Sequence, residues 1–165
     1  MSRSERLWAH PGLRPLVGLD AKINSPIAAY RWEYTDAALR EQLALEDEGF
    51  AATTEPGHAA VRYTNPTTGG DVMPTIRAEF HRFREGTHTR TRRDVGSSVY
   101  QVFDGRGVFR LGQTSHAVGK GDLIVVPSWV DWSIEAETQF DLFMFSDAPI
   151  VERLHFNRTL ISEGA

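Results

Sequence analysis

The chain has 165 residues, 41% of them hydrophobic and 24% charged, the proportions of a globular domain rather than a disordered segment. It has no cysteine, which excludes disulfides, iron–sulfur clusters and thiol nucleophiles, while six histidines leave a nitrogen–carboxylate metal site open. A net charge of −4 speaks against a nucleic-acid partner, and the length allows one domain with an arm.

The opening MSRSERLWAHPGL has arginines but no apolar segment, and the longest strongly apolar run, Leu123 to Val126, is too short to span a bilayer. The expectation is a cytoplasmic protein with no membrane contact. Residues 1 to 34, interrupted by Pro11, Pro15 and Pro26, are expected to form an irregular N-terminal arm. Thr35 then reads as an N-cap and DAALREQLALEDEG as one short helix, with Leu39 and Leu43 on one face and Gly49 as its stop. NPTTGGD, from Asn65 to Asp71, reads as a turn-rich loop. Residues 35 to 74 are therefore expected to pack as helix and turns on a barrel formed by 75 to 156, leaving 157 to 165 as a tail.

From Thr75 onward the segments TIRAEFHRF, THTRTRRD, SSVYQVF, GVFRL, SHAV, DLIVV, VDWSIEA and FDLFMF follow one another with Gly, Asp or Pro between them. Short strands at such spacing predict an all-β antiparallel barrel or sandwich. DGRG at 104 to 107 and GKGD at 119 to 122 read as tight hairpins. Residues 77 to 93 carry six arginines, whereas 131 to 152 carry six acids and no base, a pattern expected of neighbouring strands whose side chains pair.

Two strings carry a family resemblance. GTHTRTRRDVGSSVYQVFDGRG, from Gly86 to Gly107, resembles the first cupin motif, and GDLIVVPSW, from Gly121 to Trp129, resembles the second. The pieces AYRWEYTDAAL, VRYTNPTTGGDVMPT, GSSVYQV, GDLIVVPSW and FSDAPIVERL further resemble, in the same order, the C-terminal cupin half of gentisate 1,2-dioxygenase and related salicylate-type enzymes. NPTTGG is the most specific of them, because it lies outside the general cupin pattern. The resemblance implies a single jelly-roll barrel. It also implies kinship with two-cupin enzymes that open aromatic rings with iron(II) and oxygen, the iron being bound by three histidines of the N-terminal cupin.

On that pattern the metal-ligand positions of this cupin fall on Arg92, Asp94, Ser98 and Trp132, so the resemblance implies no metal of the usual kind and no cofactor here. A set of Glu79, His81 and His88 is the alternative metal site weighed, while His10, His58, His116 and His155 have no partner spacing. Alternate residues of a strand share a face, which aligns His88, Arg90, Arg92 and Asp94, then Ser98 with Tyr100, and Trp132 with Ile134. Arg90, Arg92, Trp132 and His88 are the expected ligand-binding residues for a small aromatic or unsaturated carboxylic acid. Asp94, Tyr100 and Ser98 are the expected catalytic groups. Alternatively Arg92 and Asp94 form an ion pair that fills the vacated space, and Pro127 and Trp129 are structural.

Three functions fit these residues. The first is a metal-free acid–base enzyme, of isomerase, cyclase or lyase type. The second is a non-catalytic cupin, or the separate C-terminal half of a split gentisate-type dioxygenase working with a second cupin chain. The third, ranked behind both, is an iron(II) dioxygenase with atypical ligands. A homodimer is the expected assembly.

Overall fold

The computed structural model describes residues 29 to 162; of the arm expected over residues 1 to 34, residues 1 to 28 lie outside them. Among the described residues ten strands and two helices follow one another: α1 (Trp32–Asp47), β1 (His58–Arg62), β2 (Arg77–Phe83), β3 (Arg92–Asp94), β4 (Ser98–Asp104), β5 (Arg106–Leu111), β6 (Thr114–Gly119), β7 (Leu123–Val126), β8 (Trp132–Ala136), β9 (Phe140–Ser146), α2 (Ala148–Arg153) and β10 (Thr159–Ile161). They build two five-stranded sheets, ordered β1-β2-β9-β4-β7 and β10-β3-β8-β5-β6. Every pairing is antiparallel. The expected jelly-roll barrel is what forms.

The core lies between the sheets. Phe83, Val102, Phe109, Phe140 and Leu142 are buried together there, each set by the strand alternation that sends every second side chain inward. A second apolar cluster lies outside the first sheet, where Leu39 of α1 covers Ala59 and Phe80, with Leu43 against them. Strand β2 is thus covered on both faces, and its run of buried residues breaks the simple alternation.

Helix α1 begins at Trp32 rather than at Thr35. The first amides bond to the Arg31 carbonyl, and Thr35, buried one turn in, has its hydroxyl 3.1 Å from the Tyr63 hydroxyl. Gly49 does follow the helix in the left-handed region, at φ +88°. The structure also places a strand, β1, between α1 and the loop at Asn65, a second helix after Asp147, and a strand, β10, near the C-terminus.

Neither expected hairpin pairs its flanking strands. DGRG and GKGD are corners where the chain passes from one sheet to the other, β4 to β5 and β6 to β7. At Gly105 φ is +81° and a Cβ would stand 2.0 Å from the Gln139 carbonyl oxygen, so only glycine turns this corner. The tight hairpin is Leu111 to Thr114, whose ends pair across Gly112 and Gln113. Among the described residues no helix is long and apolar enough to cross a membrane.

Candidate functional site

At one end of the barrel the sheets enclose a cavity of about 630 Å³. Arg92, Asp94, Ser98, Tyr100, Trp132 and Ile134 all line it, as the strand parity requires. So the four positions that would hold a metal in a metal-binding cupin do converge here.

What they carry does not suit a cation. Arg92 donates from Nε to Asp94 Oδ2 at 2.9 Å and from Nη2 to Oδ1 at 2.7 Å. Register sets Arg92 directly opposite Trp132, and its guanidinium stacks 5.5 Å from the indole centre. Trp132 Nε1 donates to Asp94 Oδ2 at 3.0 Å, and the Thr159 hydroxyl donates to Oδ1 at 2.7 Å. A divalent ion at this point would meet a bound guanidinium, with the carboxylate already occupied by four donors. Burial alone would raise the Asp94 pKa, but the bonds from Arg92 and Thr159 outweigh it and hold the carboxyl below its ordinary value. Among the described residues no group of three His, Asp or Glu side chains is arranged to hold a metal ion.

The remaining expected residues divide. Tyr100 is fully buried against Phe109 and Trp132, and desolvation pushes its hydroxyl pKa up. Arg90 reaches the cavity, with its Nε 3.3 Å from Glu55 Oε1. His88 does not line the cavity: it is bridged to Glu135, and its side chain is 64% exposed. Only Arg92 to Asp94 is regular strand, so the alternation cannot be extended back to residue 88. The Glu79–His81–His88 set is accordingly not assembled.

A different histidine joins that group. His58 Nε2 lies 3.0 Å from His81 Nδ1, and His81 Nε2 lies 3.3 Å from Glu79 Oε2 without alignment for a hydrogen bond. Strands β1 and β2 set these side chains on one wall of the cavity. Desolvation, then the neighbouring His81 and Arg92, lowers the His58 pKa to about 2, so its imidazole is neutral at ordinary pH. Desolvation would raise Glu79, but His81, Arg77 and Arg62 outweigh it and keep the carboxyl below its ordinary value. The His58 signal was the alternation of HAAVR behind the Pro-Gly turn, a five-residue strand in a stretch expected to be loop.

The carboxylate-binding role expected of Arg90 and Arg92 meets guanidinium groups that already hold carboxylates. Other lining arginines are similar: Arg77 bonds Asp71 and Glu152, and Arg62 lies 3.7 Å from Glu79.

No protein-family model matches the chain. It is 56% identical over 158 residues to a gentisate 1,2-dioxygenase of Streptomyces sp, covering 96% of this chain and 44% of that protein. A 5-aminosalicylate 1,2-dioxygenase of Comamonas sp is 33% identical, with 90% of this chain and 39% of that one matched. The crystal structure of the salicylate 1,2-dioxygenase from Pseudoaminobacter salicylatoxidans with gentisate superposes with a TM-score of 0.86 at 65% identity, over 98% of this chain and 44% of that one. The chain therefore spans less than half the length of these relatives.

Proposed function

Since the chain is a cupin homologous to one half of the gentisate and salicylate 1,2-dioxygenases, we propose that it serves as the iron-free, C-terminal cupin of a ring-cleaving dioxygenase of that type. The iron, and with it the oxygen chemistry, belongs to a companion cupin of the kind that makes up the rest of those enzymes. The observation that carries this reading is the bidentate Arg92–Asp94 pair standing where a metal cupin has its ligands. A guanidinium at that point neutralises the carboxylate internally and keeps the barrel end ordered without an ion. Within this reading the cupin supports the companion and shapes the assembly, and the substrate is an aromatic hydroxy acid.

The test is oxygen uptake with gentisate and with salicylate. The purified chain supplied with iron(II) is expected to show none, and addition of the iron-bearing cupin segment of a gentisate 1,2-dioxygenase is expected to give uptake above that of the segment alone. Uptake by this chain alone, with stoichiometric iron, would overturn the proposal.

A metal-free acid–base enzyme is the second reading. The chain of contacts from Glu79 through His81 to His58 favours it more than Asp94 does, because Asp94 already accepts four hydrogen bonds. In that case an unsaturated acid would be turned over by this chain without iron, and His81→Gln would abolish it.

A further inference from the structure

We infer that the bare half of the first sheet's outer face is a self-association surface, on which a second copy of this chain packs face to face. The inference goes beyond the dioxygenase reading and does not depend on it. Helix α1 covers the β1–β2 half of that face, with Leu39 over Ala59 and Phe80. Its first residue, Trp32, reaches Phe103 of β4 at 4.6 Å between ring centres. Strands β9, β4 and β7 continue the same face beyond the helix. Register sets Val125, Val99 and Phe145 in one row across them, and Leu123 beside Gln101 in the next. Their sequence neighbours Ile124, Tyr100 and Met144 belong to the core, so these side chains point outward. Leu123 is 63% exposed, Val125 56%, Phe103 45% and Phe145 38%.

Charge separates this face from the opposite one. The outer face of the second sheet carries ion pairs, Arg93 with Asp131, Arg110 with Glu135 and Arg106 with Glu137. The rows on β7, β4 and β9 carry no charge, although the chain as a whole has a net charge of −4. β7 is the last strand of its sheet and none of its four residues is charged, whereas exposed sheet edges are ordinarily guarded by charge. A contiguous apolar patch of this kind marks an association site. An acidic or basic partner would find no counter-charge here, while a second copy meets its own uncharged face without like-charge repulsion. Two such faces pack about 10 Å apart across a two-fold axis, which uses the face once in each copy and closes at a dimer. Three strands and the end of α1 supply an interface at the small end of the known range, below about 1,200 Å² in total, so this dimer dissociates on dilution.

The experiment is sedimentation equilibrium of the whole chain across the micromolar range. A mass that rises with concentration toward that of two 18.5 kDa chains is expected. Leu123→Glu with Val125→Glu sets like charges against each other across the axis and is expected to weaken association by about a hundredfold or more. Leu123→Ser, which adds no charge, is expected to weaken it by about tenfold. Leu160→Glu, 51% exposed beside Arg93 on the second sheet, is the control and is expected to leave association unchanged. Unchanged circular dichroism spectra exclude misfolding of the variants. A parent that is monomeric throughout, or that associates only when an iron-bearing cupin segment is added, would overturn the inference. So would undiminished association of the Leu123 variants, or an equal loss in Leu160→Glu. Because the measurement on the chain alone needs no iron-bearing cupin, failure here leaves the oxygen-uptake test of the dioxygenase reading standing, and the converse holds too.

Discussion

The two ends of the barrel interior contrast sharply. At one end Phe109, Phe140 and Leu142 leave almost no surface exposed and fill the space between the sheets. At the other the same strands turn His58, Glu79, His81, Arg92 and Asp94 toward a hollow. Burying apolar surface contributes about 25 cal/mol per Å², whereas enclosing charged groups costs free energy even when they are paired. The apolar end therefore stabilises the fold most, and the charged end adds little beyond the satisfaction of its own charges. Arg92 and Asp94 show how the cost is limited: each charge is met by the other, and the leftover lone pairs are met by Trp132 and Thr159.

The comparison can be broken most severely at the filled end. Phe109 is fully buried, and Phe109→Ala is expected to cost about 3–5 kcal/mol in denaturant unfolding, through lost burial and the cavity left behind. At the hollow end, Asp94→Ala strands a half-buried guanidinium and is expected to cost about 1–3 kcal/mol. The double replacement Arg92→Leu with Asp94→Leu removes both charges and is expected to stay within about 1 kcal/mol of the parent. A double variant as unstable as the single one would show that the pair itself, rather than its satisfaction, supports the fold.

Acid should sharpen the contrast. The folded chain holds His58 neutral down to about pH 2, whereas the unfolded chain protonates it near its ordinary value of 6.5. Between those values the unfolded state binds the extra proton, so stability falls as pH drops below about 6.5, with a slope approaching about 1.4 kcal/mol per pH unit. Melting curves from pH 7 to 5 read this slope, and His58→Phe is expected to flatten it. The smallest effect expected is that of Thr159→Ala, about 0.5–1 kcal/mol, since it removes one of four bonds to Asp94 and the site is open to solvent.

How far the sequence foretold this architecture depends on the range of the interactions involved. Alternation within a strand is local, so the convergence of Arg92, Asp94, Ser98, Tyr100 and Trp132 on one space could be read from parity, and the two cupin-like strings, Gly86 to Gly107 and Gly121 to Trp129, marked the barrel. Parity failed at His88 because Thr89 and Arg90 lie outside the regular strand, and both line the cavity. The two corners were misread as hairpins because a turn sequence reports a reversal and not which sheet receives the next strand. His58 was missed because its partner His81 is 23 residues away, across a ladder that only the paired β1 and β2 reveal. Thr35 looked like a cap but is spent on Tyr63, again a contact between distant segments. Likewise nothing local to Arg90 or Arg92 announced that each is already taken by a carboxylate.

The central claim is that the Arg92–Asp94–Trp132 network replaces a metal centre. Titration of iron(II) into the purified chain under anaerobic conditions, followed by elemental analysis of the desalted protein, tests it most directly. The account predicts no stoichiometric iron, in the parent and in Asp94→Ala alike. One equivalent of iron retained by the parent and lost from Asp94→Ala would contradict it.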